Sequence, residues 1–204
     1  MKLFLLNLTC SFIIGLSLNC GGVPPTFYYR VSHEGVSEGN GANNAMIPVT
    51  LGIAQCTADI LYEGDKIVYR DSPYEVQFYH YRRWIAPPRK IVTETILKQF
   101  RESGAFQRVV SIPSSIDFDY LVKGRILAFE EWDDANGWFG IVTLEFKLQD
   151  PHTKEVLWEN VFSAKAPASQ KKPVEVVKAI SSSLYTVIDN AVSEIKQNLL
   201  KAKI

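Results

Sequence analysis

The sequence predicts an α+β fold: one compact domain with a mainly antiparallel β-sheet and two main helices packed on one face. Three observations predict it. Between residues 120 and 165, three long stretches of strand-forming residues are separated by short runs of turn formers. Residues 174–200 repeat apolar side chains at spacings of three and four, the period of a helix with one buried stripe. Residues 89–103 carry a second, shorter pattern of that kind between two strand-like segments.

The elements follow in order. Residues 26–31 (TFYYRV) are aromatic and read as a first strand, and the polar stretch 32–45, rich in Gly and Asn, reads as a loop. Residues 47–55 return to strand composition, and a short helical turn is expected at 57–62. After Glu63-Gly64-Asp65, the runs KIVYR (66–70) and YEVQFYHY (74–81) flank Asp71-Ser72-Pro73, a turn signal, and predict a hairpin. Pro87-Pro88 suits a helix start, where a missing N–H costs nothing. Val92, Ile96 and Phe100 then share one helical face, and Ser103-Gly104 predicts the C-cap. Residues 106–112 (FQRVVSI) form the next strand.

In residues 138–149, Trp138, Val142, Leu144, Phe146 and Leu148 share one parity, whereas Phe139, Thr143, Glu145, Lys147 and Gln149 take the other. One face is therefore buried and the other largely wet. Residues 133–137 join this strand to 120–131, and residues 150–154 join it to 155–165, giving an antiparallel meander. In the last helix, Val177, Ile180, Leu184, Ile188, Ala191, Ile195 and Leu199 make the stripe. Lys196, Lys201 and Lys203 complement the negative end of its dipole.

Residues 1–19 read as a secretory signal peptide. Lys2 supplies positive charge, and the apolar run to Leu18 is interrupted by Asn7, Thr9, Ser11 and Ser17. That run is shorter than the roughly 20 apolar residues a spanning helix needs. Asn19-Cys20-Gly21-Gly22 closes it and resembles a lipobox, with Cys20 as the lipid-attachment residue. The modification forms a thioether and so needs a thiol, and the peptidase needs small neighbours along an extended backbone. Ser17 and Asn19 stand where that motif usually has Leu and a small residue. An ordinary signal peptide with an incidental cysteine and an uncleaved anchor helix are the alternatives. Cleavage before Cys20 would leave residues 20–25 as a lipidated tether and 26–204 as the folded domain. Cys10 would be lost, and Cys56, among strand-like residues, reads as a buried structural thiol.

Charge and motifs narrow the function. The chain has 22 basic and 22 acidic residues, so it lacks the basic excess a nucleic-acid binder needs. No phosphate-binding glycine loop, nucleophile elbow or metalloprotease motif occurs, so no catalytic residue is assigned and no enzyme is expected. His33, His80 and His152 share no ligand spacing, which gives neither a metal site nor a cofactor. Glu130-Glu131 and Asp133-Asp134 are read as a solvated hairpin end rather than an acid–base pair. The densest feature is YEVQFYHYRRW (74–84). Tyr, Trp and Arg dominate binding hot spots, so Tyr79, Tyr81, Arg82, Arg83 and Trp84 are the candidate partner-binding residues. The competing account is a strand with its aromatic residues on one face, capped by the arginines.

At this stretch the chain resembles the ABC-type transport auxiliary lipoproteins, the family that includes paraquat-inducible protein C. The resemblance lies in Ile67-Val68-Tyr69-Arg70, Tyr79-His80-Tyr81-Arg82-Arg83-Trp84 and Ala86-Pro87-Pro88, followed by a helix. It continues through Ser103-Gly104-Ala105-Phe106, Val109-Val110, residues 120–126 with Phe129-Glu130, and Leu157-Trp158. It implies a non-enzymatic, periplasm-facing lipoprotein that partners an ABC transporter, often with a mammalian-cell-entry-type protein, in moving lipids between membranes. Some relatives assemble into rings, which implies homo-oligomerisation. Gly21 rather than Asp follows Cys20, which favours the outer membrane. An envelope assembly or scaffold lipoprotein, binding an outer-membrane or cell-wall synthesis protein, is the rival reading.

Overall fold

The computed structural model describes residues 23–32 and 46–202. The expected signal peptide, Cys20, most of the polar loop with His33, and Lys203 lie outside the described residues. Among the described residues nine strands and two α-helices follow one another: β1 (Phe27–Tyr29), β2 (Ile47–Ile53), β3 (Thr57–Ala58), β4 (Lys66–Arg70), β5 (Gln77–Trp84), α1 (Pro88–Glu102), β6 (Phe106–Ser111), β7 (Tyr120–Asp134), β8 (Gly137–Gln149), β9 (Val156–Pro167) and α2 (Pro173–Ala202). The fold is α+β, and all strands join one curled sheet.

The 15-residue β7 organises the sheet. One edge pairs along its length with β8, which pairs in turn with β9, and both ladders are antiparallel as the meander requires. Its other edge is shared by β2, β3 and β4, each in parallel. β5 closes the expected antiparallel hairpin with β4. β1 adds to β5 in parallel, and β6 adds to β2 in parallel. The long ladders are thus antiparallel and the short strands attach in parallel. Strand composition does not reveal that second kind of pairing, because it depends on where the intervening chain crosses over. The turn expected at 57–62 divides into β3 and a 3₁₀ turn at Ile60–Tyr62.

Both helices form where the residue patterns place them. Pro88 occupies the first helical position of α1. Gly104 takes φ 59° just after it, a left-handed conformation that glycine adopts without a Cβ penalty. α1 packs beside β6, and α2 lies along β8 and β9. Phe100, Ile180, Leu184, Val187, Ile188, Ala191 and Ile195 are fully buried against Ile126, Phe129, Val142 and Phe146 of the sheet. Each large side chain so buried contributes about 1.5–3 kcal/mol. Leu127 sits at a bulge where the β7–β8 register shifts. The extra residue lets Ile126 and Phe129, three apart, both reach the core, at 0% exposure each.

Cys56 is a buried free thiol, as its surroundings predict. Burial pushes it up to about 11, and the Thr93 hydroxyl lowers it less.

Candidate functional site: the β1–β5 edge and the carboxylates beneath it

The candidate residues sit on β5, and the sheet separates them. Trp84 is 1% exposed, with its ring 5.0 Å from Phe129. It is a core residue and is corrected here as a partner-binding candidate: a side chain enclosed by β4, β5 and β7 meets no partner. Ile67 and Phe129 are buried beside it, and Tyr29 pairs with it from β1. Tyr79 is half-buried. Its ring meets that of Tyr69 at 4.8 Å, tilted by 37°, and the Arg82 guanidinium lies over it at 5.3 Å. Arg83 pairs with Asp65 at 2.8 Å, and Tyr81 is 41% exposed. Tyr81, Arg82 and Arg83 therefore reach solvent, whereas Trp84 and much of Tyr79 hold the strand to its support.

Beneath this edge lie two carboxylates that sequence reasoning takes for a solvated turn. Glu130 is 3% exposed and Glu131 is 0% exposed. The reason is strand length: β7 runs to Asp134, so both lie inside the sheet rather than in the hairpin turn. Asp134 is the true turn residue, accepting from Asn136 N at 2.8 Å and pairing with Lys165 at 3.1 Å. Glu130 receives Arg70 bidentately, from Nη2 at 2.7 Å and Nε at 3.0 Å, and accepts the Tyr62 hydroxyl at 2.5 Å. Burial, followed by Glu130, pushes the Tyr62 phenol well above its ordinary value. This pair joins the 3₁₀ turn, β4 and β7. The useful signal in the sequence would have been Arg70 in a hairpin strand, but which carboxylate it meets depends on sheet order.

Glu131 occupies the helix-side face with Asp133 two residues on, and accepts from the Tyr79 hydroxyl at 3.1 and 3.0 Å. Burial, then the charge of Asp133, push it up to about 8; Tyr79 and Arg82 oppose the shift. Burial likewise raises Asp133. The folded carboxyl keeps its proton to about pH 8, whereas an unfolded glutamate releases it near 4.3 (about). The folded state therefore binds more protons across that window, and the stability from this group is lost as pH rises through it. Urea midpoints are expected to fall between about pH 5.5 and 8.5 by the equivalent of about 3 kcal/mol. Glu131→Gln is expected to flatten that slope, and an unchanged slope in the variant would place the effect elsewhere.

Among the described residues, the arrangement offers an exposed aromatic and cationic edge above two buried carboxylates. Among the described residues no three His, Cys, Asp or Glu side chains converge as a metal site. His80 and His152 are exposed. No helix among the described residues is long and apolar enough to cross a membrane. The class defined by the described residues is a single α+β domain with an exposed aromatic and cationic strand edge.

Comparison with known proteins places the domain in a family. The family described as ABC-type transport auxiliary lipoprotein component matches residues 35–191, and the chain belongs to it. No curated protein matches by sequence. The crystal structure of protein XCC0632 from Xanthomonas campestris aligns with TM-score 0.72 and 19% identity, covering 88% of this chain and 96% of that one. A protein described as uncharacterized aligns with TM-score 0.65 and 14% identity, over 84% and 99% of the two chains. At these identities the likeness shows the shared fold alone.

Proposed function

We propose that the chain is an exported lipoprotein, anchored by lipid on Cys20 at the outer membrane, that faces the periplasm and serves as the auxiliary component of an ABC-type system moving lipids between membranes. Family membership over residues 35–191 is the observation that carries this reading. The N-terminal apolar run ending in Cys20-Gly21 supports the anchor, and Gly21 in place of Asp supports the outer membrane. The domain contributes binding rather than catalysis, and a mammalian-cell-entry-type subunit is the proposed partner. The exposed candidates Tyr81, Arg82 and Arg83 form the contact edge of the domain.

Two measurements test the proposal. A tagged chain crosslinked in native membranes is expected to bring down a permease, an ATPase or an entry-type subunit. Recovery of a cell-wall or outer-membrane assembly protein in their place would move the assignment to the scaffold class. Cys20→Ala is expected to shift the protein from the membrane to the soluble fraction, with its thermal midpoint unchanged within about 2 °C. Membrane retention of that variant would overturn the anchor.

A further inference from the structure

The tether enters the fold at the sheet edge, and that edge has the composition of a membrane interface. β1 pairs with the end of β5, placing Tyr28 beside Arg83, and the start of β4 places Lys66 opposite Arg83. Trp84 and Ile67, the neighbours of Arg83 and Lys66, are buried, with the Trp84 ring against Phe129 of the core. Alternation therefore sends Tyr28, Arg83 and Lys66 to the opposite, outer face. Tyr28 is 64% exposed there, and the Lys66 ammonium lies over the ring of Phe78, which is 36% exposed, at 5.5 Å. Phe27, Tyr81 and Ile85 add exposed apolar surface around the same edge. Asp65 is paired with Arg83, Glu63 is exposed in the turn that leads into β4, and the exposed acids Asp71 and Glu75 belong to the turn at the other end of the β4–β5 hairpin. Aromatic rings with a polar tip, accompanied by Lys and Arg, are the side chains that settle at the boundary of headgroups and acyl chains.

We infer that the outer face of the β1–β5 edge rests on the lipid surface of the leaflet that holds the Cys20 anchor. The inference rests on the lipid-anchor reading above. Chain reach selects this edge. Phe27 stands seven residues beyond Cys20, a span of at most about 25 Å. The other edge with exposed apolar residues is β9, with Val156, Leu157 and Val161. It lies five strand spacings from β1 in the order β1-β5-β4-β7-β8-β9, about 24 Å away across the sheet. Even across a curled sheet, setting β9 on the bilayer would draw the tether out, with the entropy loss that entails. Setting β1 there leaves the tether slack. The helices and β9 then face away from the membrane, free for protein partners.

Site-specific quenching by lipid tests this. The full-length lipidated chain, carrying bimane on Tyr28→Cys, Tyr81→Cys or Thr153→Cys, is placed in phosphatidylethanolamine–phosphatidylglycerol vesicles doped with headgroup-region nitroxide lipid, at one copy per vesicle. Cys56 is buried and stays unlabelled. Thr153, exposed in the β8–β9 turn, is the reference. Quenching at positions 28 and 81 is expected to exceed that at 153 by about threefold or more. Equal quenching with Cys20 shown by mass to be lipidated overturns the inference and leaves the anchor standing. A Cys20 that carries no lipid overturns both. Shielding at position 28 that appears only with several copies per vesicle, without lipid quenching, assigns the edge to a second copy and overturns the membrane contact. Since Tyr28 is exposed, its substitution is expected to leave the fold intact, and Tyr81→Cys gives an independent reading.

Discussion

Trp84→Ala is expected to cost about 3–5 kcal/mol of stability, the range for truncating a large buried aromatic side chain. Trp84 is among the largest fully buried side chains, and its ring meets Phe129 across the junction of β5, β4 and β7. Truncation leaves a cavity walled by strands that are held in register, so collapse around it is limited. Backbone bonds converge there as well: Trp84 N donates to Asp65 O at 2.7 Å, and Ile85 N donates to Tyr29 O at 2.8 Å. Loss of the ring is therefore expected to loosen β1 together with the core. The measurement is a urea midpoint shift at unchanged m-value. Trp84 Nε1 has no hydrogen-bond partner among the described residues. Trp84→Phe keeps the apolar packing and removes that unpaired donor, so it is expected to cost less than about 1.5 kcal/mol. A Trp84→Ala variant with wild-type stability and weakened association would return this residue to the binding surface.

The second large effect is expected at Gly140. A Cβ built there would lie 2.2 Å from Ile180 N and 2.5 Å from the Ala179 carbonyl carbon. Ser183 Oγ donates to Gly140 O at 2.8 Å, so α2 is bonded to the strand at its point of closest approach. The colliding atoms are helix backbone and cannot rotate aside as a side-chain tip would. Gly140→Ala must push α2 outward and loosen the packing of Ile180 and Leu184, both at 0% exposure. Overpacking of an ordinary core costs about 1–3 kcal/mol; here the upper end or beyond is expected, read as a drop in thermal midpoint. Gly64 provides the control, because a Cβ there meets nothing within 4 Å. Gly64→Ala is expected to change stability by less than about 0.5 kcal/mol. Equal tolerance at both glycines would show that α2 does not approach the sheet so closely.

Much of the architecture is legible in the residue patterns. The alternation in β8 identifies its buried face, with Val142, Leu144, Phe146 and Leu148 at 1% exposure or less. Periodicity places α2 within two residues at either end, and Ser103-Gly104 marks the end of α1. These features are local: burial on one side imposes a period of two on a strand and 3.6 on a helix. The candidate edge is half legible. Composition locates the cluster at 79–84 but does not distinguish the buried Trp84 from the exposed Tyr81, because the β4–β5 register shifts between Lys66 and Val68. A register shift changes which side chains face the core.

The buried carboxylates mark the boundary more sharply. By itself, the sequence determined the fold class, the order of the elements, both helices and the family resemblance, all of which rest on local periodicity or on motifs in chain order. Only the tertiary structure decided that β1, β2, β3, β4 and β6 join in parallel, that Glu130 meets Arg70, and that Glu131 lies buried beside Asp133. The reason is separation along the chain. Arg70 and Glu130 stand 60 residues apart, and Gly140 shows its close approach only against a helix that begins 33 residues later. Such pairs leave no periodic trace, because each is set by the closing of the sheet and the seating of α2.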